Sequence, residues 1–594
     1  MDETGLRQLI EDVRNGQLPR RAFISRMASL GLSAPFAAHM LLHAGVAQAQ
    51  GAEIPYKPTK RGGGGALKLL FWQGPTLLNP HFGTGTKDIE ACQIFYEALV
   101  VFAPDGNMTP VLAAEVPTVA NGGVSKDGRT ITWKLKQGVT WHDGKPFTAD
   151  DVIFNWEYGR DPATAAVTSG TMSGIQMAKI DAYTVRVTFK APTPFWALHG
   201  TAGLIPKHVF APFSGAKSRE APANLKPVGT GPYKFVDFKP GDLVRAELNP
   251  GYHMPNRPYF DTLELKGGGD ASSAARAVLQ TGEFDFAWNL QVEDEVLKRM
   301  EDGGKGKAHI VQTGDVEFVQ VNMSDPWTEV DGERSNAKTR HFAFSDVNVR
   351  RAFNLLVDRK SIQDFIYGRT GFATANFINA PARFRSPNTK YEFNIDKAGA
   401  LLDGAGWKTG PDGIRSKNGR RLKLVFQTSV NGLRQKEQAV IKQACQKAGI
   451  EMELKAITGA VFFSTDVANP DTNGHFIADL QMYTTSMGAA DPLRMLDRFA
   501  SWEVASKANK WQGRNASRYI NPEFDKLYRA AEVEMDPVKR AAVIIAMNDL
   551  IARDLPAVPL ISRTRVVGVA NKLAVWTSPW DNDLAGLHSW YREA

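Results

Sequence analysis

Thr140–Val152 reads TWHDGKPFTADDV, and it sets His142 beside Asp143 in a pattern that invites a chemical reading. The residues before it argue otherwise. Thr130, Thr132, Lys134 and Lys136 alternate with Ile131, Trp133 and Leu135, the period of a half-buried strand. Asp143-Gly144 supplies the residue that tolerates a left-handed backbone in a tight reversal. Thr148 stands three residues before Asp151, a capping box that opens a helix through Val152, Phe154 and Trp156. Strand, turn and cap thus account for the stretch. Adjacent residues in a surface turn rarely converge on one ion, so His142 and Asp143 are read as architecture.

Outward from there, the first half of the chain mixes strands with short helical patterns. ALKLLFW from Ala66 is a buried strand, QGPTLLNPHFGTGT is the loop leaving it, and a helical spacing runs from Ile89 through Cys92, Phe95, Tyr96 and Leu99. YTVRVTFK (183–190) and the segment after VGTGPYK are further strands. From about Ser345, amphipathic helices dominate, in SDVNVRRAFNLLVDRKSIQDFIYG and IDKAGALLDGAGW. RLKLVFQTS, a helix through Cys445, and GIEMELKAI give strand, helix, strand, as in an α/β lobe with a parallel sheet. Two helices and a strand close the pattern, and no repeat is visible.

A chain of 594 residues is too long for one core and implies about two to four domains. The net charge of +8 is spread among acids with no basic run, which argues against a nucleic-acid surface. At the N-terminus, Arg20 and Arg21 precede a mildly apolar stretch, Ala28–Val46, and then Ala47-Gln48-Ala49. That order is a signal peptide over residues 1–49, and the paired arginines favour the twin-arginine route. Ser33, Pro35, His39 and His43 make the stretch a poor membrane anchor. Residues 50–65 are a Pro/Gly/Lys linker. The two cysteines, Cys92 and Cys445, leave none beside the cleavage site to carry a lipid. Both are expected to be buried free thiols.

Catalytic and cofactor motifs are missing. The chain has no G-x-S-x-G, H-E-x-x-H, P-loop or G-x-G-x-x-G. GTGPYK and GTGTKD lack the further glycine and the helix start that phosphate binding needs, and are read as turns. NPDTNG (469–474) resembles part of a calcium loop but has Leu480 where the closing Glu is required. No cofactor and no metal are expected. What remains is aromatic: 13 Trp and 32 Phe, several at loops leaving strands. Such walls suit a protein that encloses a polar organic ligand without changing it.

TWHDGKPFTADDV closely resembles the signature of the bacterial extracellular solute-binding proteins of family 5, the dipeptide/oligopeptide-binding type of ABC transporters. PVGTGPYKFVDFKPGD, LNPGYHMPNRPYFDTLEL, LQTGEFDF, FSDVNVRRAFNLLVDRKSI, NIDKAGALLDGAGW and NPEFDKLYRAAEVEMDPVKR resemble further blocks in family order, from about residue 66 to the C-terminus. The resemblance implies an α/β, periplasmic binding protein-like fold of two lobes and three domains, with a hinge and a ligand cleft between the lobes. Lobe one would combine residues 66–107, 228–318 and 556–594, carry an inserted domain at 108–227, and face lobe two at 319–555.

The resemblance also implies site residues. Thr84, Gly85 and Thr86 would line the cleft after the first strand, and Trp288 and Asn289 after GEFDF, with Trp288 packing on a ligand face. Tyr483, Thr484, Thr485 and Ser486 would offer hydroxyls from lobe two. Peptide binders of this type carry an Asp, paired with the peptide's α-ammonium, where this chain has Gly488. Asp491 is the nearest carboxylate. The implied role is a monomeric periplasmic receptor of an ABC importer, not an enzyme and not a lipoprotein, that delivers a peptide to a membrane permease. An opine, an oligosaccharide or another polar small molecule is the alternative ligand, and an exported enzyme the alternative of a different class.

Overall fold

The structure is a computed structural model that describes residues 3–14, 17–29, 41, 56–83, 85–104, 107–194, 196–464, 466–487 and 491–593. Most of the apolar stretch Ala28–Val46 and the cleavage site lie outside these residues, as does Thr84. Arg20 and Arg21 open the second of two N-terminal helices, Glu3–Arg14 and Arg20–Ser29. Among the described residues no helix is long and apolar enough to cross a membrane.

One large sheet organises the molecule. Its strands are β1 (Ala66–Phe71), β2 (Tyr233–Lys239), β3 (Leu243–Leu248), β4 (Thr262–Gly267), β5 (Phe286–Trp288), β6 (Gly306–Val321), β7 (Lys423–Ser429), β8 (Glu451–Ile457), β9 (Leu480–Thr485) and β10 (Ala557–Ala570). In space they run β8-β7-β9-β6-β10-β5-β1-β4-β3-β2, and the short strand Gly371–Ala373 joins β10. β8, β7 and β9 are parallel to one another, as are β5, β1 and β4. Each parallel set has apolar layers of its own: Leu424, Phe426, Ile441 and Met482 on one side, and Leu69, Phe71, Phe286 and Trp590 on the other. β7, the helix Gly432–Lys447 and β8 form the expected strand–helix–strand unit.

The inserted segment builds a separate three-stranded sheet from Thr130–Lys134, Thr184–Phe189 and Ile175–Asp181. Its core contains Ile131, Trp133, Leu135, Trp141 and Phe147. The alternation seen in the sequence is therefore the alternation of a buried face. Thr148 caps the helix Ala149–Arg160: its backbone N–H donates to Asp151 Oδ2 at 3.0 Å and its hydroxyl accepts from the Asp150 N–H at 3.3 Å. Gly144 takes φ +86° in the turn.

Two helical expectations need correction. The pattern from Ile89 to Leu99 continues as a helix only over Thr86–Cys92. Beyond it, the Phe95 carbonyl accepts from the Gly231 N–H at 2.8 Å instead of closing another helical turn. A Cβ on Gly229 would sit 1.8 Å from that carbonyl oxygen, so the glycines of GTGPYK are there for close backbone approach. Likewise SDVNVRRAFNLLVDRKSIQDFIYG is not one helix. It breaks after Val347–Leu355, and Asp358 recaps a second short helix by accepting from the Ser361 N–H at 3.0 Å. Cys92 and Cys445 are buried and unpaired, and burial pushes both thiol pKa values up.

Candidate ligand-binding cleft

The two long antiparallel strands, β6 and β10, belong to both halves of the sheet. Residues 306–312 of β6 pair with 564–570 of β10 beside β5, whereas residues 316–321 pair with β9 and with the first half of β10. Between them lies a register shift from Gln312 to Val316, a bulge that re-aims side chains where ladder pairing lapses. The carboxyl ends of β9 and β5 both lie at this crossing: Thr485 sits opposite Val316, and the Leu290 N–H donates to the Val566 carbonyl at 2.8 Å. In α/β sheets ligands bind outside the carboxyl ends of parallel strands. Here two such sets meet across one crossing, and that space is the candidate cleft. Asn431 after β7 donates to the Gln291 side chain after β5, and Lys436 pairs with Glu293 at 2.5 Å. Nearby, Arg369 pairs with buried Asp294. Burial works to raise the Asp294 pKa, but the bonds from Arg369 outweigh it and leave the carboxyl below its usual range.

Of the residues inferred from sequence, Gly85 and Thr86 open the helix Thr86–Cys92, Gly85 half-buried and Thr86 exposed. Trp288 is only 4% exposed. Its ring stacks on Phe71, with centroids 5.0 Å apart and planes at 19°, inside the core of this half. The expected ligand-packing role therefore gives way to a core contact. Asn289 is half-buried at φ +54°, and its carbonyl accepts from Trp72 Nε1 at 2.9 Å.

The hydroxyls expected to face the ligand are mostly committed to other side chains. Tyr483 is buried, donating to Gln320 Oε1 at 3.2 Å. Thr484 donates to Glu317 and accepts from Arg434 at 2.9 Å and Arg563 at 2.8 Å. Thr485 accepts from Arg498 at 2.5 Å. Ser486 alone is exposed, and it donates to Asp315 Oδ2 at 3.2 Å. Asp491 pairs with Arg540 and accepts from the Leu493 N–H at 3.0 Å, which makes it a structural carboxylate. Gly488 lies outside the described residues.

Sequence reasoning missed the charges at the crossing. Glu317, fully buried on β6, is held by Arg434 at 2.7 Å and lies 3.8 Å from Arg563. Burial pushes its pKa up, but the two guanidinium groups prevail and keep it ionised. Glu437 beside it accepts from the Tyr367 hydroxyl at 2.8 Å, and burial with the Glu317 charge raises its pKa to about 8. Two residues further along β10, Arg565 pairs with Asp583 at 3.3 Å. Glu90, which accepts from the Asp583 and Leu584 N–H groups at 2.9 Å, is pushed to about 8 by burial and then by the Asp583 charge. A signal existed in the sequence: VPLISRTRVVGVA carries two arginines in an otherwise apolar strand, and such charges need buried partners. Among the described residues no group of three or more His, Cys, Asp and Glu side chains gathers as metal ligands.

The comparisons with known proteins agree with this architecture. The model of the bacterial extracellular solute-binding proteins, family 5 (middle) matches residues 107–506. The oligopeptide-binding protein AppA of Bacillus subtilis is 27% identical over 539 residues, covering 89% of this chain and 92% of that protein. The solved structure of AppA from Bacillus subtilis with a nonapeptide superimposes with a TM-score of 0.75 at 25% identity, over 91% of this chain and 100% of that one. NikZ of Campylobacter jejuni, solved with Ni(L-His), gives a TM-score of 0.74 at 21% identity, over 89% and 99%. With the family model matched over two thirds of its length and the cleft built where two sets of parallel strands end, this chain belongs to the bacterial extracellular solute-binding proteins, family 5.

Proposed function

We propose that this protein is the periplasmic receptor of an ABC importer and that it captures peptides between two lobes for delivery to a membrane permease. The observation that carries the reading is the double crossing of β6 and β10, with a bulge at residues 313–315 beside the carboxyl ends of β5 and β9. Two strands joining two separately packed halves make a hinge, and closure around ligand is the repertoire of such receptors. Lobe one comprises residues 66–107, 228–318 and 556–594, with the insertion at 108–227, and lobe two residues 319–555. The closed form is the one the permease reads, so occupancy is the signal. Export follows the twin-arginine signal over residues 1–49, and the mature protein is a monomer without a lipid anchor.

Peptide as the ligand class is supported by AppA, an oligopeptide-binding protein solved with a nonapeptide. The opine or sugar alternative leaned on a hydroxyl-rich loop. Three of its four hydroxyls, those of Tyr483, Thr484 and Thr485, are bonded to other side chains, so that alternative loses its main support. Thr84, Gly85, Thr86, Asn289 and Ser486 remain the residues assigned to ligand. Mass spectrometry of co-purifying ligand, followed by thermal-shift screening of peptides, opines and oligosaccharides, tests the claim. A rise in melting temperature with peptides is expected. A rise with a sugar conjugate and with no di- to octapeptide overturns the peptide assignment, and product formation from peptides or esters overturns the receptor assignment.

A further inference from the structure

At the strand crossing, nearly every acid has a cation or a proton assigned to it. Glu317 faces Arg434 and Arg563, Asp294 faces Arg369, Asp583 faces Arg565, and Asp491 faces Arg540. Glu437 and Glu90 sit in surroundings that favour the protonated form. Asp315 is the exception. It occupies the bulge of β6, half-buried, and makes no ion pair among the described residues. Its carboxylate is held by neutral donors only, Ser486 Oγ on Oδ2 and the Met487 N–H on Oδ1, both at 3.2 Å.

The backbone fixes where this carboxylate stands. The Asp315 N–H donates to Thr313 Oγ1 at 3.1 Å, and that hydroxyl donates in turn to the Arg563 carbonyl at 3.3 Å. The bulge is therefore tied to β10, and Asp315 is tied to the loop leaving β9, at the meeting of the two lobes. Arg565 feels the Asp315 charge, but its Nη1 is committed to the Ser578 and Asp581 carbonyls and to the Asp583 carboxylate. A carboxylate with long bonds to two neutral donors keeps acceptor capacity for a charge-assisted bond. An ammonium drawn from water into a cleft needs such a partner.

We infer that Asp315 is the specificity-determining anchor for an ammonium group of the ligand, received at the hinge between Ser486 and the crossing strands. The inference rests on the peptide reading, in which the ammonium is either the peptide's N-terminus or a lysine side chain. Three tetrapeptide libraries separate these sources: one of uncharged residues with a free N-terminus, the same library N-acetylated, and an N-acetylated library with lysine at one position. Captured peptides are quantified by mass spectrometry for the wild type, Asp315→Asn and Asp315→Glu.

The wild type is expected to retain an ammonium-bearing library over the acetylated uncharged one by at least about tenfold. Asp315→Asn should lose that preference with an unchanged melting temperature, while Asp315→Glu keeps part of it. Preference for the free N-terminus assigns the α-ammonium, and retention of the acetylated lysine library assigns the side chain. Equal capture of acetylated and free uncharged peptides without lysine retention, or a preference that survives in Asp315→Asn, overturns the anchor alone. Should Asp315→Asn fail to fold, the wild-type ratio and Asp315→Glu still decide. A wild type that captures no peptide overturns the peptide reading and the anchor together.

Discussion

Arg563 and Arg565 stand two residues apart on one strand, yet they serve opposite kinds of buried site. Arg563 enters a cation-rich cluster in which it and Arg434 share one ionised acid, Glu317, while Glu437 sits alongside. Arg565 enters an acid-rich cluster in which Asp583 pairs with it while Glu90 and Asp581 are pushed towards protonation, to about 8 and about 6, chiefly by burial. The difference teaches how each half tolerates a lost partner. An acid-rich site can adjust by releasing a proton from a carboxyl held neutral. At the Arg563 site the arginines keep their protons, so Glu437 alone can adjust, and two guanidinium groups then share one carboxylate that burial resists ionising.

The sharpest way to break this comparison is to remove Glu317. Glu317→Gln leaves Arg434 and Arg563 buried without their shared ionised partner, and truncating a buried pair costs about 3–5 kcal/mol. Urea unfolding should show the loss, and ionisation of Glu437 should recover part of it as pH rises. On the other side, Asp583→Asn should cost less, about 1.5–3 kcal/mol for the lost charge-assisted bond. Arg565 keeps the Ser578 and Asp581 carbonyls, and Glu90 can ionise once the Asp583 charge is gone. Equal losses from the two substitutions would remove the distinction.

A pH series sharpens the same contrast. Glu90 and Glu437 have folded pKa values near 8, above the unfolded value of 4.5. Between those values the folded state holds more protons than the unfolded state, so their contribution is fully present below pH 4.5 and is lost as pH rises towards and through 8. Glu90→Gln and Glu437→Gln imitate the protonated forms. Each should change stability little at low pH and flatten the decline between pH 5 and 9, read as melting temperature against pH. An unaltered slope would show that the carboxyls are already ionised in the folded protein.

Strands and caps were legible in the sequence because local chemistry fixes them. The alternation through Trp133, the Asp143-Gly144 turn and the Thr148 box all stand in the fold. Residues whose surroundings come from distant segments were not. Trp288 has the same composition-level appearance whether it faces ligand or Phe71, and only the parallel pairing of β1 with β5 decides. Thr484 and Thr485 look like free hydroxyls until Arg434, Arg563 and Arg498 arrive from distant parts of the chain. Asp315 was invisible for a related reason: nothing in VQTGDVEF announces that a bulge takes its carboxylate off the ladder.

The smallest effect concerns the residue that first looked chemical. His142 accepts from the Gly229 N–H on Nδ1 at 3.1 Å, so its Nε2 carries the proton and donates to the Gly231 carbonyl, also at 3.1 Å. The ring therefore pins the Asp143-Gly144 turn to the GTGPYK loop that packs on Phe95. Burial lowers its pKa to about 4, from an unfolded value of 6.5. A depressed folded pKa gives stability that is present above pH 6.5 and is lost as pH falls towards and through 4. His142→Ala should cost about 1–2 kcal/mol at neutral pH for two modest hydrogen bonds. The gap to wild type should narrow as the pH drops from 6.5 to 4, because the wild type alone then loses the clamp. Ligand capture at neutral pH should be unchanged. A variant that folds as well as wild type but no longer binds would return His142 to the site from which its bonds have removed it.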